Sequence, residues 1–152
     1  PGPGGGLSEA RGGAAGPVRL RVGAVCVLDE AVLLVRYGPG PAGGYWELPA
    51  VELVPGETLA EAAVRACLHL AGCDTLCGPF LGFVEQPDAD EPEVGMYFEV
   101  VLVDHLHAAA AAPEGAAAAE ARFVDPDEVP ALRLRDGTLE LLADQGLVDT
   151  VT

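Results

Sequence analysis

Lysine, isoleucine and asparagine are missing from this sequence of 152 residues. All three have A/T-rich codons, so their absence points to a GC-rich genome rather than to a functional adaptation. The lack of lysine leaves eight basic residues, all arginine, against 24 Asp and Glu, and a formal net charge of -16. A surface this acidic repels nucleic-acid backbones and anionic membranes, which bind through Lys/Arg clusters, so neither is an expected partner. A phosphate-bearing ligand then needs bridging metal ions or a few local arginines. Long hydrophobic runs are also missing: none approaches the ~18 residues of a membrane span. No charged-then-apolar signal stretch stands ahead of the cysteines, and a soluble, cytoplasmic protein is the expectation.

Aromatic residues are scarce at 5%, yet half of the chain is apolar and Val and Leu are spread along it, enough for one sizeable core. The opening "PGPGGGLSEARGGAAGP" has almost nothing to bury, so residues 1–17 are read as a flexible tail and 18–152 as a single domain. Cys26, Cys67, Cys73 and Cys77 form no recognisable disulfide framework. Cys67, His69, Cys73 and Cys77, with His105 or His107 as a further ligand, invite a zinc reading, but the spacing matches no standard zinc pair, and buried free thiols are the simpler expectation.

From Val18, "VRLRVGAVCVLDE" and "AVLLVRY" alternate around Asp29-Glu30 and predict two strands joined by a tight turn. "GPGPAGG" is a loop without the Gly-Lys-Ser/Thr end of a phosphate loop, and "YWELPAVEL" is a short extended segment. Thr58 followed by Glu61 is a capping box, and the Ala-rich run to Leu70 predicts a helix ended by Gly72. "TLCGPFLGFVEQ" and "VGMYFEVVLVDHL" predict an antiparallel pair around the acidic loop "PDADEPE". "HAAAAAPEGAAAAEA" is low-complexity; either half could be helical, but Pro113 and Gly115 divide it and favour a mobile surface loop. "RFVDPDEVPAL" is a strand running into a turn, and "GTLELLADQGL" is a short closing helix. Strands, helix, strands, helix is the order of a mixed α/β sandwich.

These residues resemble the Nudix family of diphosphate hydrolases, whose box reads G-x5-E-x7-R-E-U-x-E-E-x-G-U, U being a bulky apolar residue. In "YWELPAVELVPGETLAEAAVRACLHLAGCD", setting Glu57 at the first box glutamate places Arg65 at the arginine and Gly72 at the closing glycine. Trp46, Leu48 and Pro49 match the approach to the box, and the likeness runs from about residue 18 to 147. The resemblance implies an α/β/α sandwich with a mixed β-sheet, a nucleotide-like ligand, often a homodimer, and Mg²⁺ or Mn²⁺ if the protein is active, otherwise no cofactor.

The departures bear on chemistry. Val51 stands at the initial glycine, and Ala66, His69 and Leu70 stand at the other three glutamates. Those positions share one helix face, where three carboxylates would make the hard oxygen cluster Mg²⁺ requires. A methyl, an imidazole and an isobutyl group cannot replace it. The expectation is therefore impaired or lost hydrolysis with retained binding of a nucleotide-like ligand or a protein partner. The alternative is an active hydrolase of nucleoside diphosphates linked to another moiety, with carboxylates supplied from outside the box. By resemblance the candidate catalytic residues are Glu57 and Glu120, and the candidate metal ligands Glu57 and Glu61. Arg36, Trp46, Glu47 and Glu85 are candidate substrate contacts, with Glu52 as a further cleft carboxylate. Arg65 and Gly72 are structural members of the box. Glu57, Glu61, Arg65 and His69 also recur every four residues, a stripe that reads equally as an ion-pair ladder.

Overall fold

Strand β1 (Arg19–Leu28) forks the molecule. One of its edges pairs in parallel with β6 (Glu93–His105), from Arg19↔Glu93 to Cys26↔Val100. The other edge is shared: Arg21–Gly23 pair antiparallel with β4 (Ala50–Glu52), while Val27 and Leu28 pair with β2 (Ala31–Tyr37) across the Asp29-Glu30 turn. Both turn residues have positive φ, 51° and 73°, the geometry whose twist suits a two-residue hairpin. β2 then carries β3 (Tyr45–Glu47) on one side and β7 (Glu120–Val124) on the other, and β5 (Cys73–Gln86) closes the far edge against β6. This computed structural model describes residues 17–38, 44–105 and 120–149.

Helix α1 (Leu59–Ala71) starts where the sequence places it. Thr58 Oγ1 accepts from the Glu61 N–H at 3.1 Å, and Glu61 Oε1 accepts from the Thr58 N–H at 2.9 Å. Gly72, in the left-handed region at φ 67°, turns its N–H back to the Cys67 and Leu68 carbonyls and ends the helix. Its small buried face, Ala62, Ala63, Ala66, Cys67 and Leu70, packs with Val22, Ala24, Cys26 and Val100 on one side of the sheet. A separate core on the other side joins Val25, Trp46, Leu48, Tyr97 and Val124 to Leu141 and Leu142 of α2 (Thr138–Asp144). Two apolar cores separated by a mixed sheet make the expected α/β/α sandwich.

Several boundaries differ from the sequence reading, among them β5, which begins at Cys73 rather than Thr75. Glu120 and Ala121, read as the end of a loop, pair with Arg36 and Val35 as the start of β7. Glu93, read as the end of the acidic loop, is the first residue of β6, in register with Arg19 and Gln86. The predicted tail and the Ala-rich loop otherwise lie outside the described residues. No described helix is long and apolar enough to cross a membrane. The four cysteines are free, and burial pushes the Cys26 thiol up to about 12 and Cys67 higher still, which keeps both protonated.

Candidate functional site

A cleft of about 680 Å³ opens between β1, β4, the start of β6 and the C-terminal half of α1. Strand alternation supplies its charges. Arg21, Gly23 and Val25 project to one face of β1, and Glu93, Gly95 and Tyr97 to the same face of β6. Arg21 Nη1 donates to Glu47 Oε1 at 3.0 Å and lies 3.6 Å from Glu93 Oε2, while its Nη2 reaches the Ala50 carbonyl at 3.2 Å. Arg135 completes the group, 3.6 Å from Glu47 Oε1 and hydrogen-bonded to Glu93 Oε2. Two buried glutamates and two partly buried arginines are thus gathered with matched charge. Burial opposes the Arg21 charge, but the fields of Glu47, Tyr97 and Glu93 and the hydrogen bond to Glu47 hold its pKa above the usual arginine value.

Tyr97 reaches this group because two neighbours lack a Cβ. A Cβ on Gly23 would lie 2.6 Å from the Tyr97 ring, and one on Gly95 within 2.9 Å, so only glycine lets the ring lie along the sheet. Burial pushes the Tyr97 hydroxyl above its usual range, with Arg21 pulling the other way. Tyr37 and Tyr45 form another wall of the cleft, their ring centroids 5.9 Å apart, and Val51 and Leu70 make it apolar beside α1.

Beside the cleft, Arg65 ties the helix to the preceding loop. Its Nε and Nη2 donate to the two Glu57 carboxylate oxygens at 2.7 and 3.0 Å, and Nη2 also reaches the Glu52 carbonyl at 2.8 Å. Glu57 Oε1 accepts from the Val54 N–H at 3.2 Å as well. The hydrogen bonds from Arg65 hold the Glu57 carboxyl below its usual range, against the opposing effect of burial. Glu61, four residues on, belongs to the capping box described above, so the stripe is divided between two separate tasks.

The chain from 17 to 145 matches the family model described as the NUDIX domain. It belongs to the Nudix family. Solved structures share the fold at low identity. A NUDIX hydrolase from Nitrosomonas europaea superposes with a TM-score of 0.74 at 21% identity, covering 86% of this chain and 89% of its own. A MutT NUDIX hydrolase from Burkholderia pseudomallei gives 0.69 at 21%, covering 84% and 98%. The NUDIX domain of Shewanella oneidensis NrtR, complexed with ADP ribose, gives 0.66 at 20%, covering 97% and 100%. No curated protein matches by sequence.

Set on this Nudix fold, the predicted residues separate. Glu47, Glu52 and Arg65 line the cleft. Glu57 adjoins it through Arg65. Arg36, Trp46 and Glu120 sit together on the β2 branch instead: Arg36 pairs in register with both, and its Nε donates to Glu120 Oε1 at 3.2 Å. Trp46 is buried, with the Arg122 guanidinium carbon 5.2 Å from its ring centroid. Glu85 is exposed on β5, outside the cleft lining. Sequence reasoning missed Arg21, Glu93, Arg135 and Tyr97. The available signal was a charged residue at an inward-facing position of each strand, Arg21 two before Gly23 and Glu93 two before Gly95.

Two of the box positions that carry glutamate in the family, 66 and 70, lie in apolar surroundings. Ala66 is fully buried and Leu70 is 4% exposed, both in the core under α1. Among the described residues, no three His, Cys, Asp or Glu side chains gather where they could hold a metal ion. Of the cleft carboxylates, Glu47 and Glu93 are held by Arg21 and Arg135, and Glu52 is hydrogen-bonded to Arg19. This donor set does not fit Mg²⁺, which takes oxygen ligands in near-ideal octahedral geometry.

Proposed function

We propose that this Nudix domain binds a nucleotide-like ligand in the cleft and is impaired or inactive as a metal-dependent diphosphate hydrolase. The observation that carries this reading is the apolar replacement at Ala66 and Leu70, where a ligand phosphate would otherwise meet bridging metal. Without metal activation of water and charge neutralisation, several kcal/mol of transition-state stabilisation is lost. Binding has other support. The cleft gathers Arg19, Arg21, Arg65 and Arg135, half of the eight arginines in the chain, beside two tyrosine rings able to stack a base. The ADP ribose in the Shewanella oneidensis domain is a ligand of that chemistry on a similar fold.

The alternative is an active hydrolase with its chemistry rebuilt on Glu57, Glu85 and Glu120, of which Glu57 adjoins the cleft and the other two stand outside its lining. A panel of nucleoside diphosphates, including ADP ribose, tested with and without Mg²⁺ or Mn²⁺ separates the two. The expected result is thermal stabilisation without product release; a ligand at a hundred times its Kd adds about 2.7 kcal/mol. Metal-dependent release abolished by Glu57→Gln, in a variant that keeps its helical circular dichroism, would overturn the inactive reading. Absence of stabilisation by every member of the panel would overturn the binding reading.

A further inference from the structure

The end of the sheet remote from the cleft carries a surface that the nucleotide reading does not use. Val27 on β1, Val101 and Val103 on β6 and Leu76 on β5 share one face. Leu76 and Val101 are register partners, Val103 follows Val101 by two, and Val27 continues the Cys26↔Val100 pairing. Leu76, Val101 and Val103 are 63%, 58% and 56% exposed, and Val27 is 36% exposed. Nearer the cleft this face is covered by α2; here no element among the described residues covers it, and an apolar groove of about 540 Å³ runs from Val27 and Val101 to Leu147.

The charges around the groove define what it can accept. Glu99 lines the groove itself, Asp74 and Asp104 pair in register at the same end of β5 and β6, and neither strand carries an arginine. Asp29 and Glu30 stand at the adjoining β1–β2 turn. A second copy brought face to face would set these carboxylates against their own kind, whereas a cationic partner would be attracted. Edge pairing along β5 is obstructed by Pro79 and by the register shifts on either side of Phe80. Docking on the face remains, and the element this architecture already uses to cover that face is a helix.

We infer that this face is a docking site for an amphipathic helix of another protein, with an apolar stripe flanked by lysine or arginine. The probe is a fluorescent 18-residue peptide of leucine and lysine with a single apolar stripe, titrated against the full chain by anisotropy. Two control peptides replace its lysines by glutamate or its leucines by serine, and Leu76→Asp/Val101→Asp is the test variant. The expected result is binding of the leucine-lysine peptide, at least tenfold weaker binding of both controls, and at least a tenfold loss in the variant at unchanged Tm. Failure of the leucine-lysine peptide to bind overturns the inference. So does equal binding by the variant or by the serine-lysine peptide, which would mean attraction by net charge alone. Sedimentation equilibrium supplies the last arm: a dimer dispersed by the same two substitutions would make a second copy the occupant, whereas a monomer agrees with the inference.

Discussion

The paired strands β1 and β6 treat charge and apolar surface in opposite ways at their two ends. At the cleft end the buried Glu47 and Glu93 hold the partly buried Arg21 and Arg135; at the turn end Val27, Val101 and Val103 stand in water beside Asp29 and Glu30. The usual economy of a globular domain is the reverse. Buried ions are costly unless each is matched, so the cleft end is where single substitutions should do most damage. The turn end makes few bonds that a substitution can break.

The sharpest way to test the contrast is Glu47→Ala. Glu47 is 2% exposed, accepts a hydrogen bond from Arg21 and lies 3.6 Å from Arg135, so its removal takes one of two neighbouring carboxylates from each guanidinium and leaves Glu93 alone to match both. A loss of about 3–5 kcal/mol is expected from the denaturation midpoint. A loss below about 1 kcal/mol would mean that water reaches the group freely. Next comes Arg65→Ala, which strips Glu57 of two hydrogen bonds and the Glu52 carbonyl of one. The expected cost is about 2–3 kcal/mol, in the range for hydrogen bonds to charged groups.

The same pair predicts a pH dependence. The Glu57 carboxyl is held below its usual range, so the folded state binds its proton more weakly than the unfolded chain does. Its stabilisation is fully present above the unfolded value of about 4.3 and is lost as pH falls through the lower folded value. Glu57→Gln should therefore flatten the acid limb of a stability profile below about pH 4.5. An acid limb identical to that of the parent chain would assign the sensitivity to other carboxylates.

At the turn end the effects shrink and change sign. Glu30 sits at φ 73°, which glycine adopts without a Cβ penalty, so Glu30→Gly should stabilise by about 0.5–1 kcal/mol. Leu76→Asp, on a side chain 63% exposed, should alter stability by no more than about 0.5 kcal/mol, measured by the same midpoint. A larger loss would show that this face is packed in solution.

Local signals in the sequence carried most of the fold. The Thr58/Glu61 box and Gly72 bounded α1 because caps act within a few residues, and alternation located β1, β2 and the β5–β6 hairpin. Of the residues named from the sequence, Glu47, Glu52 and Arg65 line the cleft and Glu57 adjoins it, all within or just before the box. Arg36, Trp46 and Glu120 sit on the β2 branch because β1 forks, and a fork is a tertiary choice with no local marker. The Arg21–Glu47–Glu93–Arg135 group draws on four separate segments, which no spacing rule joins. Glycine at positions 23 and 95 was the nearest clue, since each makes room for the Tyr97 ring.

Trp46 is the sole tryptophan, and it lies buried one residue before Glu47 on β3. Excited near 295 nm, the chain therefore emits from one known place, in the core beneath Arg122. That makes it a built-in optical probe: unfolding should shift the emission to the red. A ligand that disturbs β3 from the cleft side should change its intensity while the fold stays intact.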